Sequence, residues 1–121
     1  MIIHLQLKGL PKRTNNMASN WRARMAEARK WKEAVYVAAL QSEWKAGKPL
    51  INPRLTLIRH SSKECDFDGL VSSFKHVIDG LTKVGMITDD KISVIGVPTY
   101  IWRKSKPKQG MIEIFIEGEY E

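Results

Sequence analysis

The order of apolar and polar positions along this chain predicts four strands. In residues 2–7, Ile3, Leu5 and Leu7 alternate with polar side chains, which is the pattern of a strand with one buried face. The segments read as strands are residues 2–7, 54–60, 92–102 and 111–117. Pro98 lies within the third of them and favours an edge strand or a bulge there.

Two longer segments place apolar residues at three- and four-residue steps and are predicted helices, residues 19–46 and 69–84. Ser19 or Asn20 is a suitable N-cap for the first, and Gly85 ends the second. The element order is therefore β-α-β-α-β-β. This order predicts a single small α/β (α+β) domain over residues 1–121, with a mixed four-stranded sheet and helices packed on it.

Composition narrows the class of protein. The chain has 121 residues and 43% hydrophobic content, which suits one globular domain. No apolar run approaches the roughly 18–20 residues that cross a bilayer, so no membrane partner is expected. Cys65 is the single cysteine, which excludes an internal disulfide framework and a thiolate zinc site. With no secretory signal recognisable in the first residues, we expect a cytoplasmic location.

The net charge of +7 is concentrated near the N-terminus. The first 32 residues hold eight Lys or Arg and one acid, Glu27, and a second basic cluster follows residue 102. Such clusters predict polyanion binding, and the alternative is a solvated basic surface that binds nothing. The candidate DNA-binding residues are Lys12, Arg13, Arg22, Arg24, Arg103, Lys104, Lys106 and Lys108.

Four acids contrast with this basic background. Asp66 and Asp68 are two residues apart and share a face in an extended chain, and Asp89-Asp90 follow the second predicted helix. Carboxylates are preferred ligands of Mg²⁺, with Mn²⁺ as an alternative, and such an ion supports phosphodiester hydrolysis. Lys75 follows Asp68 by two helical turns, and on that face it would stabilise charge on a phosphate.

Distance is a difficulty for this site. A straight helix would carry Asp89 and Asp90 about 24 Å from Asp68. The two pairs of acids meet only if the loop from Met86 folds back or a second protomer supplies the missing acid.

Each of these residues also has a structural explanation. Asp68 is placed to cap a helix beginning at Gly69, and Asp89-Asp90 suit a turn. Lys75 and Asp79 are spaced for a surface ion pair. For each residue taken singly, the structural explanation is better than a functional one. Together, four acids at two element ends in a basic chain favour a metal-binding site. His60 and His76 are expected to be surface or half-buried residues rather than general bases.

The combined motif resembles the RusA family of Holliday junction resolvases, including prophage relatives. Its three parts are Asp66-x-Asp68-x-Leu70, Lys75-x-x-x-Asp79-Gly80-Leu81 and Gly85-x-x-x-Asp89-Asp90. The resemblance implies one RusA-like domain in a homodimer that makes paired, Mg²⁺-dependent nicks in four-way DNA junctions. It implies that Asp66, Asp68 and Asp90 are the metal-binding catalytic acids, that Lys75 is the essential lysine, and that Asp89 is an accessory acid.

Two other functions stay open. The first is a non-catalytic DNA-binding module on the same scaffold, in which the acids are caps and turns. The second is a nuclease that acts on other branched DNA. Replacing Asp66 by Asn distinguishes the binding module from a nuclease. In a nuclease it should abolish cleavage without weakening DNA binding, whereas in a binding module it should have little effect.

Overall fold

The computed structural model describes residues 1–12 and 20–121, and its elements confirm the predicted α+β class with a mixed four-stranded sheet. In chain order they are β1 (Ile2–Lys8), α1 (Trp21–Leu40), β2 (Ile51–Ser61), α2 (Phe67–Ser73), α3 (Lys75–Val84), α4 (Ile92–Ile95), β3 (Thr99–Lys104) and β4 (Met111–Glu119).

The strand order across the sheet is β1-β4-β2-β3. β4 runs antiparallel to both of its neighbours, whereas β2 and β3 are parallel. Parallel neighbours need a long crossover, and α2, α3 and α4 together form it. The segment that bears all four candidate acids is thus this crossover.

The core lies between one face of the sheet and the helices. Alternate strand residues such as Leu5, Leu57 and Ile114 are buried on that face, in one cluster with Trp31 of α1 and Leu81 of α3. The period of two in the strands and the helical period in α1 and α3 bring these side chains to a common interior. The opposite face of the sheet carries mainly polar residues.

The single helix predicted over residues 69–84 was wrong, because the chain forms two helices that meet at Phe74. Phe74 has φ −93° and ψ 1°, and its N–H donates to the Val71 carbonyl at 3.2 Å. The Ser73 hydroxyl donates to the Leu70 carbonyl at 2.8 Å, a local bond that competes with helical geometry. The Phe74 ring is fully buried and lies against Tyr100, so packing holds the break in place.

Two other boundaries also differ from the prediction. Residues 92–102 are not one strand: Ile92–Ile95 form a short helix, Gly96 ends it at φ 67°, and β3 begins only after Pro98. α1 ends at Leu40 rather than near residue 46, because Trp44 turns inward and its indole N–H donates to the Lys48 carbonyl.

At the start of α1, the prediction of Asn20 as N-cap is confirmed, since its side chain accepts from Ala23 N–H at 3.0 Å. Ser19, the alternative cap, lies outside the described residues. Over residues 1–12 and 20–121, no helix is long and apolar enough to cross a membrane.

Candidate functional site

Asp66 is the N-cap of α2. Its Oδ1 accepts the Gly69 N–H at 2.8 Å, and its backbone is extended, as an N-cap requires. The sequence had suggested Asp68 as the cap of a helix starting at Gly69. That prediction was wrong, because α2 starts at Phe67 and places Asp68 in its first turn. Both Asp66 and Asp68 are exposed.

The helix break changes the relation between Asp68 and Lys75. The expectation that the two share a face assumed an unbroken helix, but Asp68 belongs to α2 and Lys75 is the first residue of α3. Lys75 is exposed at the N-terminal end of that helix. Its alignment with the acids therefore depends on the angle between two helices rather than on sequence spacing.

The expected Lys75–Asp79 ion pair is not found in the described part of the chain. Asp79 Oδ2 instead lies 4.0 Å from His76 Nδ1. Burial lowers the pKa of His76, and the nearby Asp79 carboxylate acts against this effect. Neither ring nitrogen of His76 has a hydrogen-bond partner among residues 1–12 and 20–121.

Asp89 organises the turn before α4. Its Oδ1 accepts the N–H of Asp90 at 2.7 Å and of Lys91 at 3.3 Å. A hydrogen bond with the Asp90 side chain, and then these two backbone bonds, lower the pKa of Asp89, which is therefore ionised at neutral pH. Asp90 itself is exposed.

The segments that carry the two pairs of acids, Asp66 with Asp68 and Asp89 with Asp90, contact the sheet at different positions along β2. The Phe67 ring contacts Tyr100 edge-on, with centroids 6.3 Å apart, and Tyr100 pairs with Leu57 in the middle of β2. The segment from Met86 to Asp89 instead lies near the beginning of β2, where Leu50 N–H donates to the Met86 carbonyl at 2.9 Å. Among residues 1–12 and 20–121 of one chain, no three His, Cys, Asp or Glu side chains are grouped so that they could hold a metal ion.

A group of described cations lies at one end of the sheet, where β1, β2 and β3 finish and β4 begins. Lys8, Met111, His60 and Arg103 lie in one row across this end. We call it the basic end, and its cations are Lys8, Lys12, Arg103, Lys104, Lys106 and Lys108.

The first half of α1 is tied to the same region. Lys12 N–H donates to the carboxylate of Glu27 at 3.0 Å, and Arg59 Nη1 donates to the Pro11 carbonyl at 2.7 Å. Arg22 and Arg24 are exposed in the first turn of α1, ahead of Glu27. Arg13, also a candidate, lies outside the described residues.

The turn between β3 and β4 holds one strained cation. Lys108 has φ 64°, a left-handed conformation that costs a residue with a β-carbon roughly 1–2 kcal/mol. Lys8, Lys106 and Lys108 line a cavity of about 610 Å³ together with Ser62 and Gln109. The residues that line this cavity also include Leu10 and Met111 but no acid, so all of its charge is positive.

Sequence reasoning missed a polar cluster on the open face of the sheet. His4 of β1 and His60 of β2 both point their Nε2 at Glu113 of β4, at 2.8 and 2.6 Å. The His4 ring also stacks on Phe115, with centroids 4.3 Å apart. Burial acts to raise the pKa of Glu113, but the bonds with His60 and then His4 outweigh it, and the pKa is lowered.

Glu27 is a second polar residue whose role was not anticipated. It is buried, and its Oε1 accepts from both Lys12 N–H and the Trp31 indole at 3.0 and 2.8 Å. Burial acts to raise its pKa, and the bonds from Lys12 and Trp31 lower it overall. Its position four residues before Trp31 in α1 was the one available signal, because that spacing places both on one face.

Comparison of the chain with protein-family models and with curated proteins gave no match.

Proposed function

We propose that this protein is a Mg²⁺-dependent DNA endonuclease that resolves four-way junctions by paired nicks, acting as a homodimer. One observation supports this most. The start of α2, which carries Asp66 and Asp68, packs beside β3, and β3 runs from there into the basic end. Arg103 follows Tyr100 by three residues, about 10 Å along a strand. Exposed carboxylates thus lie within a few nucleotide lengths of a surface suited to phosphates.

The donor chemistry fits a hard cation. Asp66, Asp68 and Asp90 are exposed carboxylates, and Asp89 is an ionised one with a lowered pKa. These four would hold Mg²⁺ or Mn²⁺, and the ion would supply polarisation of the scissile phosphate. Since one protomer brings no three of the described ligands together, we propose that the acids are completed across a dimer or by movement of residues 86–91.

The protein side chains have separate roles in the proposed reaction. A water molecule attacks phosphorus, one P–O bond breaks, and the departing oxygen takes up a proton, which leaves a phosphate end and a hydroxyl end. Lys75, exposed at the start of α3, stabilises the charge that develops on the phosphate. Lys12, Arg22, Arg24 and the cations of the basic end hold the DNA strands, and Arg13 is proposed to join them.

The test is cleavage of a labelled four-way junction with Mg²⁺ by wild type, Asp66→Asn and Asp90→Asn. We expect paired nicks from wild type and a loss of at least about 100-fold in both variants, as is usual when catalytic charge stabilisation is removed. Asn caps helices as well as Asp does, so Asp66→Asn should keep the fold and the affinity for the junction.

Thr88→Ala is a suitable control, because Thr88 is exposed one residue before Asp89 and carries no carboxylate. It should cleave like wild type. Junction binding without cleavage by wild type would instead favour the non-catalytic DNA-binding module. Equal cleavage of flaps and four-way junctions would favour a nuclease for branched DNA in general.

A further inference from the structure

A groove between α1 and α3 combines apolar walls with a basic rim. It has a volume of about 520 Å³, and its main lining residues are Met25, Arg29, Lys32, Tyr36, Gly80 and Lys83. The two helices approach closely at its floor: a β-carbon on Gly80 would lie 3.1 Å from the Val35 β-carbon and 3.3 Å from the Lys32 α-carbon. The groove is therefore built on a rigid contact between helices.

The apolar side chains of the groove are exposed. Met25 and Tyr36 leave 51% and 54% of their surface open to solvent. Along α1 they belong to a stripe at helical spacing that also has exposed Trp21 and Leu40 at its ends. These side chains give the groove apolar surface that a partner could cover.

The charges of the groove are mainly positive. Arg29, Lys32 and Lys83 line it, and Glu33 is the one acid among its lining residues. None of the ion pairs found over residues 1–12 and 20–121 involves these three cations. Their charge is thus available to a ligand.

The charge pattern argues against a second copy of this chain as the occupant. Arg29 and Lys32 lie at the middle of α1, between the apolar ends of the stripe. Each copy would bring three groove cations and one acid, Glu33, so two copies that met through this stripe about a two-fold axis would bring two surfaces of net positive charge together. Like charges brought together across an interface cost several kcal/mol, which opposes such a dimer.

We propose that the α1–α3 groove binds an acidic peptide segment of a partner protein, whose large apolar side chains sit against Met25 and Tyr36. Carboxylates of that segment pair with Arg29, Lys32 and Lys83. The apolar walls favour a peptide over a nucleic-acid backbone, which offers phosphates but no apolar anchors. This inference does not rest on the proposed nuclease function, because none of the proposed catalytic acids lines the groove.

The test is fluorescence anisotropy with a labelled synthetic peptide that forms an amphipathic helix, with Leu and Phe on one face and Asp and Glu elsewhere. We expect saturable binding that is absent for the same peptide with Lys in place of the acids. Arg29→Glu combined with Lys83→Glu should weaken binding roughly tenfold or more, since repulsion replaces attraction. Tyr36→Ser should weaken it about tenfold by removing an aromatic anchor.

Lys48→Glu is the matched control, because Lys48 is an exposed lysine outside this groove, and it should change affinity less than about twofold. Circular dichroism melts would show that each variant is folded. No saturable binding of the acidic peptide, equal binding of the Lys peptide, or equal weakening by Lys48→Glu would overturn the proposal.

Two further outcomes would assign the groove to another occupant and overturn the proposal as well. The groove would be a nucleic-acid contact if labelled duplex DNA displaced the peptide and if the Arg29→Glu/Lys83→Glu variant, but not Lys48→Glu, bound that DNA more weakly. A concentration-dependent dimer in sedimentation that Tyr36→Ser abolishes would make it an interface between copies of this chain.

Discussion

The hydrogen bonds described for Asp66 and Asp89 in the helical crossover and those of the polar cluster on the open sheet face differ in reach. Asp66 accepts from Gly69, three residues away, and Asp89 accepts from its next two neighbours. Glu113 instead joins His4 and His60, which are 109 and 53 residues away in the chain. Asp66 is exposed and the side chain of Asp89 is 41% exposed, whereas the side chain of Glu113 is only 17% exposed.

This difference separates a surface available to ligands from a cluster that holds strands together. A carboxylate oxygen that accepts one N–H bond keeps a further lone pair for a cation or for water. The Glu113 carboxylate uses both oxygens on imidazoles from two neighbouring strands. We therefore expect substitutions of the crossover acids to affect function more than stability, and substitutions in the cluster to do the reverse.

The largest effect on stability should come from Phe74, which anchors the crossover to the sheet. Phe74→Ala removes a fully buried ring and should lower the free energy of unfolding by about 3–5 kcal/mol. Urea denaturation measures this loss. Phe67→Ala is the control from the same segment, because that ring is 67% exposed, and it should have a far smaller effect. Equal losses would mean that α2 is not held by the core.

Loss of Glu113 should have the next largest effect. Glu113→Ala removes the hydrogen-bond partner of two imidazoles, and their side chains are 39% (His4) and 20% (His60) exposed. Because water can replace part of the lost bonding, the expected loss is about 1–2 kcal/mol, short of the full cost of a buried unsatisfied group. The comparison variant is Glu117→Ala, an exposed acid on the same strand, which should change stability by less than about 0.5 kcal/mol. If the thermal melts of the two variants coincided, the cluster would contribute nothing to stability.

The N-cap role of Asp66 predicts a smaller effect that depends on the substituent. Asp66→Ala should destabilise the protein by about 1 kcal/mol, whereas Asp66→Asn should be nearly neutral because Asn is an equally good N-cap. If urea denaturation found equal destabilisation for both, the carboxylate charge itself would be needed for folding. If Asp66→Asn leaves the free energy of unfolding nearly unchanged, any loss of cleavage in this variant reflects catalysis and not stability.

The pH dependence of stability should give the smallest effect. The folded-state pKa of Glu113 lies below its ordinary value of 4.5, so ionised Glu113 favours the folded state. This contribution is complete above about pH 4.5, and it is lost as the pH falls through the lower folded-state pKa. The difference in stability between wild type and Glu113→Gln should therefore shrink as the pH falls below 4.5. A difference that grew on acidification would contradict this assignment.

The strands and helices of this protein were largely predictable, and the errors share a cause. The alternation of Ile112, Ile114 and Ile116 and the helical spacing of Trp31 and Val35 reflect burial on one face, which any packing of these elements satisfies. The break at Phe74 and the end of α1 before Trp44 were not visible, because each depends on where one aromatic side chain finds space in the core.

The positions of the acids at element ends depend on local sequence, but their exact contacts do not follow from spacing alone. Local spacing predicted a capping carboxylate in the Asp66–Asp68 segment but assigned it to Asp68, two residues after the N-cap that the structure shows, Asp66. The sequence by itself determined the class of fold, the strand alternation and the position of its charged segments. The tertiary structure alone decided that β4 lies between β1 and β2, and only that order places His4, Glu113 and His60 in contact. The physical reason is that alternation specifies which face of a strand is buried but not which strand lies beside it.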